Sequence, residues 1–209
     1  MSGSLDRSER ILAGFSGVGQ AGAAIGIKVD EVGAEPRRAA ALQKVCLLPQ
    51  DIQNQLRDGT LKLSDNMYFS ILSATALSTL DMINKSTPAS DGVTNFENAE
   101  LNNWTFVQEL RLLKKDGGTG RYFAALDANL LNGIFTIKAN SKEIISDMCM
   151  EAFANSVAGY EVNKAWGSYI LKNPFWIAPK VKNEFYIKLA AAVTGDYKLI
   201  YVVNELKSW

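Results

Sequence analysis

The chain has 209 residues, 47% of them hydrophobic, with 22 Lys and Arg balanced by 22 Asp and Glu and no histidine. The balance excludes a long-range field that would gather nucleic acid, acidic substrates or an anionic membrane surface, so any polyanion contact has to be local. The missing histidine excludes Ser-His-Asp and Cys-His centres, the usual zinc sites and a general base that titrates near neutrality, leaving chemistry borne by carboxylates, lysine, tyrosine or a cofactor.

Residues 11–27 carry no charge and include five glycines. The run falls short of a membrane-spanning helix, and Ser16 and Gln20 interrupt it, so no membrane span is expected. The preceding MSGSLDRSER mixes acids and bases and lacks the layout of a signal peptide. Cys46 and Cys149 are too few for a disulfide framework and fit a reducing compartment, in which the sequons at Asn84 and Asn103 have no role. The expected location is the cytoplasm or an assembled particle. Residues 1–35 are read as a Gly-rich N-terminal arm preceding a single globular domain over 36–209.

Within the arm, Gly17, Gly19 and Gly22 match G-x-G-x-x-G. In a dinucleotide fold these glycines make the turn, admit the pyrophosphate and let helix and strand pack closely. Residues 11–15 make a poor strand and no series of βα units follows; Arg37 and Arg38 stand near where such a fold places an acid, an arrangement compatible with a 2′-phosphate. The alternative for the same glycines is an arm of small side chains that orders on assembly.

From Pro36 the pattern is helical, with Pro at N1 and good helix formers over 39–45, until Pro49 opens a second short helix over 50–57 that stops at Gly59. Ser64 and Asp65 are read as N-caps of a central helix reaching about residue 84, whose only interior charge is Asp81. Residues 86–103, with Pro88, Gly92 and many short polar side chains, are read as an exposed loop. Residues 104–112 fit both a strand and a helix face; the following Asp116-Gly117-Gly118 turn favours a strand. Residues 121–131 fit a strand or a short helix, and 133–138 a strand.

Asn140 with Glu143 resembles a capping arrangement for a helix over about 141–158, placing Cys149 on its apolar stripe as a buried thiol. At the C-terminal end, residues 185–193 and 198–203 alternate around Thr194-Gly195-Asp196 and predict a β-hairpin. Together these readings predict an α+β fold, helices packed on an antiparallel sheet with a C-terminal β-hairpin.

Lys114, Lys115 and Arg121 flank a glycine-rich turn and, with Arg37, Arg38 and Lys44, form the candidate polyanion site; the competing reading of that turn is a solvated β-turn. Trp176 and the terminal Trp209 are the candidate interface aromatics, although core packing at the entry to a hairpin accounts for Trp176 more cheaply. No catalytic residue, metal site or bound cofactor is assigned. The resulting expectation is a non-enzymatic, self-assembling homo-oligomer, such as a coat, nucleocapsid or filament subunit, with local phosphate contacts. Its alternatives are a nucleotide-binding or NADP-binding enzyme using residues 17–22, and a monomeric protein-binding module.

Overall fold

The computed structural model describes residues 41–83, 92–154 and 167–208. The expected α+β arrangement is overturned: strands dominate, every pairing is antiparallel, and helices are short and few. Seven strands form one sheet: β1 (Leu61–Asp81), β2 (Thr105–Lys115), β3 (Tyr122–Ala124), β4 (Ile134–Ala139), β5 (Lys142–Cys149), β6 (Ser168–Ile177) and β7 (Asn183–Ser208). The helices described are α1 (Gln50–Arg57) and α2 (Ala128–Leu131), with 3₁₀ turns at Val45–Leu47 and Met150–Phe153.

The spine is β7, 26 residues long. Along one edge it pairs with β1, from Leu61↔Ser208 to Asp81↔Tyr186. Along the other it meets β2 through residues 197–205 and β4 through residues 183–188, end to end. β2 then pairs with β6 and β3, and β4 with β5.

The sheet folds back on itself. Phe135 of β4 is paired beside Ile187 and Tyr169 of β6 lies in line with Tyr201, 14 residues further along β7. In a flat sheet that separation is about 45 Å. Yet the Phe135 and Tyr169 rings lie 6.2 Å apart. The fold coincides with register shifts between Ala74 and Thr79 of β1, where Ala76 takes φ of 54°. Two layers result, and the main core fills the space between them with Phe135 stacked on Phe185, Phe153 beside both, and Phe96 against Tyr68 and Tyr201.

Three expected elements are corrected. The predicted central helix over 64–84 is strand β1: its freedom from charge reflects alternation between a core and an outer face, with Tyr68, Ser70 and Ala74 buried, rather than a helix covered on all sides. The predicted helix over 141–158 begins as strand β5. Asn140 and Ser141 have φ of 50° and 65°, and Ala139 pairs with Lys142, so the Asn is the first central residue of a two-residue hairpin turn and not an N-cap. Cys149 is accordingly exposed instead of buried. The C-terminal hairpin does not form, because β1 pairs with residues on both sides of Thr194-Gly195-Asp196 and carries β7 straight through that turn signal.

Other expected elements are present, with one change at residues 92–103. Strands occur over 105–115 and 134–139, and the 121–131 segment supplies both a three-residue strand and the short helix α2. Helix α1 spans Gln50–Arg57 after Pro49, and Gly59 follows it at φ of 75°. Of the predicted exposed loop, residues 92–103 are described, and Phe96, Ala99 and Leu101 are fully buried, so this stretch belongs to the core. Gly167 opens β6 at φ of 62°, where a Cβ would lie 2.1 Å from the Leu112 carbonyl oxygen.

Candidate functional site: the outer face of the sheet

Residues on β7 alternate between the core and the opposite, outer face. Tyr197, Leu199, Tyr201 and Val203 point into the core. Leu206 points out, where Leu42, Val45, Leu48 and Leu56 pack on it together with Leu61, Leu63, Trp104 and Trp176. The described residues from Ala41 through α1 therefore cover one end of the outer face.

Beyond that cap the face continues as cross-strand rows defined by register. Asn204 donates to Asp65 and accepts from Gln108, a polar tie across β1, β7 and β2. The next row runs Met67, Val202, Glu109, Ile170 across four strands. After it come Phe69, Ile200, Arg111 and Ser168, then Ile71, Lys198 and Leu113. Met67 is 50% exposed and Ile170 66%. A shallow depression of about 270 Å³ is lined by Asp65, Asn66, Met67, Val202 and Val203.

Charges on this face meet partners within it. Arg111 Nε lies 2.6 Å from Glu109 Oε1, and Lys198 Nζ lies 4.3 Å from the centroid of the Phe69 ring. Lys115 Nζ is 3.1 Å from Asp196 Oδ2 at the far end. The Asp196 carboxyl is held below the usual range by hydrogen bonds from Ser73 and Lys115, and Lys115 is raised by the same partner. The apolar side chains that these rows leave exposed are Met67 and Ile170, while Val202, Glu109 and Ser168 are buried.

The predicted polyanion residues are not gathered into one site. Lys44 donates to Asn173 Oδ1 and to the Pro174 carbonyl, fastening the helical cap to β6. Lys114 and Lys115 stand at the opposite end of β2, and Lys114 Nζ is 2.5 Å from Asp127 Oδ1. Burial opposes the Asp127 charge, but hydrogen bonds from Lys114 and Tyr197 overcome it and lower its pKa. Arg121 is exposed beside the turn, where Asp116 accepts from the Thr119 amide and hydroxyl, a closed β-turn. Arg37 and Arg38 lie outside the described residues, as do Gly17, Gly19, Gly22 and Trp209. Trp176 donates its indole N–H to the Lys44 carbonyl and packs its ring 4.9 Å from Phe106, so its ring serves the cap.

A buried acid lies at the covered end. Glu205 is fully buried, accepts from the Tyr68 hydroxyl and pairs with Lys207 at 2.8 Å. Burial opposes its charge; the hydrogen bonds from Lys207, Tyr68 and Asn66 win and lower its pKa, while burial foremost pushes the Tyr68 hydroxyl up. These bonds tie β1 to the end of β7. Among the described residues no group of three acidic or cysteine side chains forms a metal cluster, and no helix is long and apolar enough to cross a membrane.

Sequence patterning missed the outer face because its rows join residues from four separate strands. The detectable trace was the alternation of Phe69 and Ile71 with Tyr68 and Leu72. No family model matches the chain, and neither a curated protein nor a solved structure is found to be similar to it.

Proposed function

We propose that the protein is a self-assembling structural subunit, of the kind that builds a coat, nucleocapsid or filament, and that it acts without catalysing a reaction. The observation that carries this reading is the outer face: Met67 and Ile170 stand exposed at the two ends of a four-strand row whose middle residues, Val202 and Glu109, are buried, and the row continues a part of the same face that the chain itself covers. Large apolar side chains left exposed beside a covered apolar patch favour contact with other protein. The ion pairs of Lys114 and Lys115 reduce the charge available for phosphate, so protein contact is favoured over nucleic acid as the primary interaction.

Size-exclusion chromatography with light scattering tests the proposal. The expected result is a concentration-dependent oligomer that shifts toward the monomer in a Met67→Glu, Ile170→Glu double variant with an unchanged β-sheet circular dichroism spectrum. A monomer at every concentration overturns it.

A further inference from the structure

We propose that residues 11–27 of the chain are the occupant of the outer face, lying over the rows of Met67, Phe69 and Ile71. The proposal deepens the assembly reading, because it names the contact through which one copy reaches another, and it can be tested apart from that reading.

Position is the first argument. The described chain starts at Ala41, fully buried, and leads into the cap on Leu206. Val202 is four residues from Leu206 along β7, about 13 Å at the rise of a strand. Residues 28–40 extended span about 43–47 Å. A segment preceding Lys28 therefore reaches the whole outer face of its own copy, or that of a copy placed alongside.

Chemistry is the second. Arg111 is met by Glu109, and Lys198 by the Phe69 ring, so an occupant has no charge to supply. Residues 11–27 have none, and they offer Ile11, Leu12, Phe15, Val18, Ile25 and Ile27 among small residues. Five glycines let a backbone lie close to a sheet where bulkier side chains would hold it away.

Area is the third. The two four-strand rows and one three-strand row span about 360 Å², from row and strand spacings. A stable protein interface uses about 800 Å² on each partner. Two outer faces pressed together are undersized by half, whereas a segment that lies on the face adds its own contacts on both flanks. This separates an inserted segment from simple face-to-face pairing of two copies.

The test uses the full-length chain with the photoreactive residue p-benzoylphenylalanine at position 170, chosen because Ile170 is largely exposed, and with Lys142 of the edge strand β5 as the control position. Irradiation followed by peptide mapping is expected to join position 170 to residues 11–27 at no less than ten times the control yield. Cross-links that map elsewhere, or a yield equal to the control, overturn the proposal. Hydrogen exchange gives a second readout. Residues 11–27 are expected to be protected in the parent chain and to exchange at least tenfold faster in the Met67→Glu, Ile170→Glu variant, with β2 and β7 unchanged. Exchange of the segment at the unprotected rate in the parent chain also overturns it.

Mixing isotopically heavy and light chains before irradiation separates the two readings. Heavy-to-light cross-links support docking between copies and with it assembly. Cross-links confined to chains of one label support docking within a copy and remove this face from the assembly proposal. An oligomer with no cross-link to residues 11–27 leaves assembly standing and sinks the docking.

Discussion

The two faces of the sheet are built from the same strands and are finished differently. The inner face closes on itself: the layers bring Phe135, Phe153, Phe185 and Tyr169 into one ring cluster, and every inward side chain of β7 from Tyr197 to Val203 is buried. The outer face is finished at one end only, by the stretch from Ala41 through α1, and its remaining rows meet ionic partners but no covering layer among the described residues. A folded-back sheet needs its inner face to hold together as a domain. Under the proposed assembly its outer face serves contact with other chains, which would place stability and association on opposite sides of the same strands.

The sharpest way to break this comparison is to remove an inner ring. Phe135→Ala should cost about 3–5 kcal/mol of unfolding free energy, since it deletes a buried aromatic and leaves a cavity against Phe185. Urea denaturation measures it, and a loss below 1 kcal/mol would show that the layers do not depend on this cluster. At the capped end, Leu206→Ala should cost about 2–3 kcal/mol, toward the lower part of the range for buried leucine because the cap can relax onto the gap. Hydrogen exchange should quicken over residues 41–57 while the 183–203 stretch keeps its protection.

Glu205 sharpens the boundary between the two regions. Its pKa is lowered in the folded state from an ordinary value of 4.5, so its contribution is fully present above that value and is lost as pH falls through the folded-state pKa. Glu205→Ala should cost about 1–3 kcal/mol at neutral pH, the scale of a buried hydrogen-bonding group left without its partner. The difference from the parent should shrink once the pH drops below the folded-state value. A constant difference across the acid range would mean that Glu205 acts through packing alone. The smallest effect is expected on the open rows: Ile170→Lys should change unfolding free energy by no more than about 0.5 kcal/mol, as for other exposed positions. If it costs several kcal/mol by urea titration of the monomer, that part of the outer face belongs to the fold after all.

Part of the sheet was legible from local chemistry. β2 fits a helix face as well but is followed by a turn signal, β4 is rich in β-branched and aromatic residues, and α1 is bracketed by Pro49 and Gly59. β1 was not legible, because its run of Ser, Ala, Leu and Thr is short of charge and suits a buried helix as well as a strand until a partner is known. At β5, Asn140 and Glu143 satisfy a capping pattern, yet the same Asn tolerates the positive φ that the hairpin uses. In β7 a genuine turn signal, Thr194-Gly195-Asp196, was overruled by pairing to β1 on both sides of it. The candidate site was hidden for a related reason. A row such as Met67, Val202, Glu109, Ile170 exists only after register is set, and of the candidate basic residues Lys44 lies at one end of β2 and Lys114 and Lys115 at the other.

The length of β7 also constrains how the molecule comes into being. Leu61 pairs with Ser208 and Thr105 with Glu205, so β1 lacks its strand partner, and β2 has only β3 and β6, until residues 183–208 have left the ribosome. The edge of β1 therefore waits unpaired across more than a hundred intervening residues, a non-local topology that folds slowly and only once β7 has emerged. Polysomes translating this message would hold many such chains close together, each exposing strand edges to its neighbours, and a chaperone that shields nascent β1 should raise the yield of native protein more than one acting after release.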